Sequence, residues 1–182
     1  MNPNTAPLPP GYTHVRHTFE PVFDERSRIL ILGSFPSVKS RENQFYYGHP
    51  QNRFWKLMAL LLNMPVPQST DEKKTMLLTH GLALWDVLAS CDIKGSSDSS
   101  IKNAVPADIS QILKAADIHT IIANGGTAFR LYRRCCEPLT GRPAVLCPST
   151  SPANAAFSLE RLAECWSKYI IWPARRSPSD SP

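Results

Sequence analysis

The chain has 182 residues, of which 42% are hydrophobic, and its formal net charge is +5 at pH 7. This length fits one domain with a substantial core, and no apolar run approaches the roughly 20 residues that a membrane-spanning helix needs. The N-terminus lacks the basic and then apolar order of a signal peptide, and the five cysteines form no CxxC pattern. We therefore expect a cytoplasmic protein with no metal and no other cofactor, whose basic charge favours a polyanionic partner such as DNA.

Proline-rich composition marks both ends of the chain. Residues 1–14 are predicted to form a flexible N-terminal tail, and residues 173–182 a flexible basic C-terminal tail. The residues between them, 15–172, have the usual size of a single domain and show no internal repeat. We expect this domain to act as a monomer.

Apolar strands and amphipathic helices alternate along the chain. Short apolar runs predict buried strands at residues 28–32, 83–87, 119–123 and 143–147. Helical spacing predicts helices at residues 52–62, 71–79, 108–115 and 127–136, and a last one from residue 154 or 158 to 169. The segments 33–48 and 95–100 are predicted loops. This order predicts an α/β fold, with three α/β/α layers around a mostly parallel four-stranded central sheet.

Three polar or glycine-containing clusters follow predicted strands. They are Gly-Ser-Phe-Pro-Ser at 33–37, Asn-Gly-Gly at 124–126 and Pro-Ser-Thr-Ser-Pro at 148–152. Because parallel strands end at the same edge of a sheet, these clusters are expected to meet there, where α/β proteins bind ligands.

Aromatic and amide side chains near these clusters are of the types that bind nucleobases. Tyr46 and Tyr47 could stack on a base or pack internally. Asn124 could read the polar edge of a base or merely begin a turn. Arg53 could hold a phosphate or lie on a solvated helix face. Phe54 and Trp55 are more typical of helix packing.

Hydroxyl and amide groups at 149–154 precede the last predicted helix. Such donors suit a DNA phosphate, and they equally suit helix capping. Asp86 and Asp98 could lie near strand ends, although a turn role is the simpler interpretation for Asp98. The chain has no GxSxG, Walker A or GxGxxG motif, which argues against an α/β-type esterase and a nucleotide-binding enzyme.

These motifs together resemble the uracil-DNA glycosylase superfamily, over most of residues 20–172. The 33–37 loop and the segment 49–55, His-Pro-Gln-Asn-Arg-Phe-Trp, are similar to the first motif region, and residues 149–153 take the place of the second motif. The hypoxanthine-DNA (deoxyinosine) glycosylase branch is more similar still. It has Gly-Ser-Phe-Pro-Ser, Tyr-Tyr, Pro-x-Asn-x-Phe-Trp and Pro-Ser-Thr-Ser-Pro-Ala.

Two positions depart from the wider superfamily. Phe35 stands where an Asn or Asp usually positions water, and Ser149 stands where a His usually stabilises the departing base. The deoxyinosine branch shares both departures and implies that the catalytic asparagine is Asn52. Ala153 lies where relatives place a residue that wedges into the duplex.

The resemblance implies a monofunctional glycosylase of base-excision repair, which flips a deaminated base, most simply hypoxanthine, and hydrolyses its N-glycosidic bond to leave an abasic site. The expected catalytic residue is Asn52. The expected base contacts are Ser34, Phe35, Tyr46, Tyr47 and Asn124. The expected DNA contacts are Ser37, Arg53, Ser149, Thr150, Ser151, Ala153 and Asn154. The alternatives are a uracil or G:U/T mismatch glycosylase and a non-catalytic nucleic-acid-binding relative.

Overall fold

The computed structural model describes residues 8–170 and contains two sheets. In chain order, the strands are β1 (Thr13–Arg16), β2 (Ile29–Gly33), β3 (Leu82–Asp86), β4 (Leu88–Ile93), β5 (Lys102–Pro106), β6 (Thr120–Asn124) and β7 (Val145–Cys147). The helices are α1 (Val38–Glu42), α2 (Phe54–Leu61), α3 (Thr70–Thr79), α4 (Ser110–Ala115), α5 (Gly126–Cys135), α6 (Glu137–Thr140) and α7 (Leu159–Trp166).

The four-stranded sheet has the order β3-β2-β6-β7, and all its pairings are parallel. Its central strand β2 buries Leu30, Ile31 and Leu32 completely, as a strand covered on both faces must. Helix α3 packs against β3, and α5 packs against β6 and β7. The predicted α/β class and the parallel four-stranded sheet are thus confirmed.

A second sheet, of three antiparallel strands in the order β1-β4-β5, was not predicted. Its strand β1 begins at Thr13, so the predicted tail of residues 1–14 overlaps a strand by two residues. His14 in this strand contacts Asp92 of β4, with 2.7 Å between Nδ1 and Oδ1. The predicted C-terminal tail at 173–182 lies outside the described residues.

Both segments predicted as loops contain helical turns. Within 33–48, α1 forms because the Ser37 hydroxyl accepts a hydrogen bond from the Ser40 N–H and so caps the helix. Within 95–100, the residues Asp98–Ser100 form a short 3-10 helix. Two hydroxyl-rich segments are therefore ordered by their own side-chain bonds, which an apolar periodicity does not reveal.

The two sheets are joined by the single residue Val87, which lies between the end of β3 and the start of β4. Its N–H donates to the Gly33 carbonyl and its carbonyl accepts from the Ala107 N–H, both at 2.8 Å. Asp86 and Gly33 therefore lie side by side at the junction of the sheets. Within residues 8–170, no helix is both long and apolar enough to cross a bilayer.

Candidate functional site

A cavity of about 850 Å³ opens at the carboxyl ends of the parallel strands. Of the thirteen residues predicted to contact the base or the DNA or to act in catalysis, all except Arg53 line it. This volume lies in the range of small-ligand pockets. The clusters at 33–37, 124–126 and 148–152 meet at this cavity, as predicted.

Asn52 lies on the cavity wall just before α2. Its side-chain Oδ1 accepts a hydrogen bond from the Phe54 N–H at 3.0 Å, which holds the amide plane at the start of the helix. Among residues 8–170, its Nδ2 group has no hydrogen-bond partner. Two N–H donors and one remaining oxygen lone pair are therefore available to a ligand in the cavity.

Ser34 and Asp98 form one wall of the cavity. The Ser34 hydroxyl donates to Oδ2 of Asp98 at 2.7 Å. Burial raises the pKa of Asp98, the negative charge of Asp86 raises it further, and the Ser34 hydrogen bond lowers it in part. Asp98 is thus harder to ionise than a solvent-exposed carboxyl. The Ser96 hydroxyl accepts from the Val38 N–H at 2.9 Å and ties this loop to α1.

The aromatic lining is held mainly by internal packing. Tyr46 donates its hydroxyl to the Glu20 carbonyl at 2.9 Å, and its ring centroid lies 4.8 Å from that of Phe19. The ring of Tyr47 stacks on Phe54 with 4.0 Å between centroids. For Tyr46 the packing alternative holds, because neighbouring rings enclose it. Phe35 is 7% exposed and contributes an apolar surface to the cavity.

The Asn124 amide clips the end of β6 to the turn after β7. Its Oδ1 accepts from the Thr150 N–H, and its Nδ2 donates to the Thr150 hydroxyl, both at 3.0 Å. Thr150 is fully buried, so the predicted phosphate contact through Thr150 is replaced by a structural role. Burial raises the pKa of the neighbouring Tyr47 hydroxyl, and hydrogen bonding with Asn124 lowers it in part.

The turn at 149–154 is held by its own polar groups. The Ser149 hydroxyl accepts from the Ser151 N–H at 3.2 Å, and the Ser151 hydroxyl accepts from the Ala153 N–H at 3.3 Å. The Asn154 amide donates to the Ser149 carbonyl at 2.9 Å. Ala153 is exposed at the cavity edge. This turn presents a compact, polar rim beside the cavity.

Arg53 has a different role from the predicted phosphate contact. Its guanidinium donates to the Ser151 and Asn154 carbonyls at 2.7 and 3.0 Å, and also to the carbonyls of Thr150 and Phe157. These bonds occupy the guanidinium and turn it away from the cavity. Arg53 therefore braces the 150–157 segment from α2.

The paired residues Asp86 and His17 were not among the predicted site residues. Asp86 ends β3, lines the cavity and pairs with His17, with 2.9 Å between Oδ2 and Nε2 and both side chains about 5% exposed. The position of Asp86 at a predicted strand end was a usable signal. His17 lies before the sheet in a segment without a periodic pattern, so nothing in the sequence linked it to the site.

Comparison with known proteins identifies the family. The sequence model of the uracil DNA glycosylase superfamily matches residues 20–173. The chain belongs to this superfamily.

Two relatives of the chain carry a more specific name. A protein of Methanosarcina acetivorans named hypoxanthine DNA glycosylase is 35% identical over 154 residues, which are 82% of this chain and 95% of the relative. A protein of the same name from Methanosarcina barkeri is 34% identical over 110 residues, which are 59% of this chain and 69% of the relative.

A solved structure shares the fold. The solution NMR structure of a protein named as a candidate uracil DNA glycosylase, from Methanosarcina acetivorans, is 33% identical and superposes with a TM-score of 0.72. The match covers 84% of this chain and 94% of that chain. The α/β fold of this superfamily member is thereby confirmed.

The two departures from the wider superfamily both lie on the cavity wall. Phe35 and Ser149 line the cavity, where the wider superfamily's motifs usually have an Asn or Asp and a His. Neither can supply a cationic group, and Phe35 has no polar atom. Among residues 8–170, no three His, Cys, Asp or Glu side chains cluster in a way that could hold a metal ion.

Proposed function

We propose that this protein is a monofunctional DNA glycosylase that flips a deaminated base, preferentially hypoxanthine, into the cavity and hydrolyses its N-glycosidic bond. The two relatives named hypoxanthine DNA glycosylase support this choice of base. The observation that carries the proposal is the cavity itself, where the ends of β2, β3 and β6, the turn after β7 and the start of α2 meet. Asn52 lies on its wall.

The polar turn at 149–154 and the base-binding end of the cavity lie at opposite edges of the sheet. Three strand spacings separate the β7 end from the β3 end, or about 14 Å. A flipped nucleotide would thus have its flanking phosphates near Ser149 and Ser151 and its base toward Ser34 and Asp86. Asn52, at the start of α2, would lie beside the sugar.

The reaction breaks the bond between C1′ of the sugar and the base nitrogen. The base leaves with the electron pair, the oxygen of water bonds to C1′, and a proton from that water neutralises the base. Because the transition state resembles an oxocarbenium ion, the site must hold the water and stabilise the leaving base. The free Nδ2 donors and the remaining Oδ1 lone pair of Asn52 suit either task.

The position of Lys39 supports a mechanism without a covalent protein–DNA intermediate. Lys39 is the lysine among the described residues that line the cavity, and its Nζ lies 2.7 Å from Oε2 of Glu42 on the surface. An amine held at the surface in this way is poorly placed to attack a sugar inside the cavity. Borohydride should therefore trap no protein–DNA adduct during turnover.

The test is excision from a panel of duplexes containing I:T, I:C or U:G pairs, with alkali used to cleave abasic sites. We expect the fastest release from the inosine duplexes. Asn52→Ala should lower the single-turnover rate at least ~10²-fold, as loss of one positioned polar group does. Strand cleavage by Asn52→Ala at the wild-type rate would contradict its catalytic role.

Ser69→Ala is the matched control for Asn52→Ala. Ser69 caps α3 through the Glu72 N–H, so both variants remove a side-chain acceptor from a helix start. Each should cost about 1 kcal/mol of stability. Because Ser69 does not line the cavity, its variant should keep the wild-type rate.

Uracil excision is the second candidate, and the same panel decides it. The structural relative with a TM-score of 0.72 is named for uracil. Faster release of uracil than of hypoxanthine would assign this chain to the uracil-specific activity. DNA binding without abasic sites on any duplex would leave a non-catalytic relative.

A further inference from the structure

The Asp86 carboxylate has one committed oxygen and one free oxygen. Its Oδ2 pairs with Nε2 of His17 at 2.9 Å, and the side chain is 6% exposed. Its Oδ1 accepts no hydrogen bond from any residue in the range 8–170. A buried carboxylate oxygen on a cavity wall is therefore available as an acceptor.

The Tyr47 hydroxyl is a free donor in the same place. It is buried, and no residue among those described accepts a hydrogen bond from it, while its ring is fixed by stacking on Phe54. Leaving such a donor unpaired in a buried position is destabilising, which is a reason to look for a ligand that pairs it.

Gly33 makes room for the Asp86 carboxylate beside the Tyr47 hydroxyl. A Cβ at this position would lie 2.2 Å from Oδ1 of Asp86 and 3.3 Å from the Tyr47 hydroxyl oxygen. Only a residue without a side chain fits there without displacing the carboxylate. The end of β2 thus brings an acceptor and a donor side by side on the cavity wall.

We infer that Asp86 and Tyr47 recognise the lactam edge of the flipped base, an assignment that rests on the proposed glycosylase function. Deamination converts the edge of adenine, a ring nitrogen acceptor beside an amino donor, into an N–H donor beside a carbonyl acceptor. Oδ1 of Asp86 accepts from the ring N1–H of hypoxanthine, and the Tyr47 hydroxyl donates to O6. Adenine presents the opposite order and leaves both groups unpaired.

The same hydrogen bonds also show which bases Asp86 and Tyr47 do not distinguish. Uracil carries an equivalent N–H and carbonyl edge, so Asp86 and Tyr47 separate hypoxanthine from adenine and uracil from cytosine, and not a purine from a pyrimidine.

His17 is a positioning residue for Asp86. Its ring packs 4.4 Å from Phe19 and 6.3 Å from Phe35, centroid to centroid, and it engages only Oδ2. This contact holds Oδ2 and leaves Oδ1 beside Gly33 on the cavity wall. The segment before the first parallel strand thus contributes to base selection through Asp86.

The decisive substrate is an oligonucleotide with N1-methylated hypoxanthine, in which a methyl group replaces the N1–H. The wild-type protein should release it at least ~10²-fold more slowly than hypoxanthine, the kind of penalty imposed by a site built for one hydrogen bond. Release of both bases at similar rates would overturn the inference. If the wild type releases neither base, the proposed function itself fails.

Variants of Asp86 test whether this residue causes the slower release of the methylated base. In Asp86→Ala the methyl group has room and no acceptor is lost to it, so the ratio between the two substrates should fall to within ~10-fold. Asp71→Asn, an exposed carboxylate on α3, is the matched control and should keep the wild-type ratio. An unchanged ratio in Asp86→Ala would overturn the role of Asp86.

Tyr47→Phe tests the donor without removing the stacked ring. It should slow hypoxanthine release by about 10-fold, the equivalent of one ordinary hydrogen bond, and raise the melting temperature because an unpaired buried hydroxyl is gone. A purely structural hydroxyl would give the opposite sign. A lower melting temperature with an unchanged rate would overturn the role of Tyr47.

Discussion

Arg53 offers a test in which two roles give opposite results. If Arg53 holds the 150–157 segment in place, and does not contact a DNA phosphate, Arg53→Gln should lower stability. The reason is that the guanidinium donates to four carbonyls of that segment. Hydrogen bonds to a charged group are worth about 1.5–3 kcal/mol each, but these share one side chain and the freed carbonyls regain water in part. We expect a loss of about 2–4 kcal/mol in the free energy of unfolding.

The assays are thermal unfolding and DNA binding at several salt concentrations. For a chain of this length, that loss corresponds to a fall in melting temperature of roughly 5–15 °C. Each lysine or arginine that neutralises a phosphate contributes about one unit to the slope of log K against log salt. Because Arg53 is turned to the protein, the slope should be unchanged. A slope reduced by about one, with an unchanged melting temperature, would refute this structural role of Arg53.

Three further variants test the turns around the cavity. Gly125→Ala should cost about 1–3 kcal/mol and slow excision, since Gly125 has φ +101° and a Cβ there would lie 2.8 Å from that of Ser149. Thr150→Val should cost about 1–3 kcal/mol in denaturant unfolding by leaving the Asn124 Nδ2 unpaired. Asp98→Asn should raise the melting temperature at pH 7 and not below about pH 4. Burial raises the folded-state pKa of Asp98, so its charge costs stability only as pH rises above the unfolded pKa.

The parallel sheet was predictable because strands covered on both faces must be continuously apolar. The run at 28–32 differs from β2 by one residue, and the run at 119–123 differs from β6 by one residue. The antiparallel sheet left no such pattern. Its strand β5 contains Asn103 and a terminal proline, and β1 is mostly exposed, so neither carries the apolar alternation that predicts a strand.

The sequence predicted which residues lie at the site better than it predicted what their side chains do there. Asn124 and Thr150 were assigned to ligands because amides and hydroxyls at strand ends suit them, yet these side chains bond mainly to each other. Arg53 was assigned to a phosphate because its charge is visible in the sequence, whereas its carbonyl partners are 97 or more residues away. His17 depends on a contact with a residue 69 positions away, which no local pattern encodes.

The single-residue link at Val87 has a mechanical consequence. Its backbone bonds to Gly33 on one side and Ala107 on the other, so the floor beneath Asp86 belongs to both sheets at once. A shift there would have to shear two hydrogen-bonded ladders together. We therefore expect the turns around the cavity to adjust when a bent duplex binds. The backbone beneath Asp86 should stay rigid.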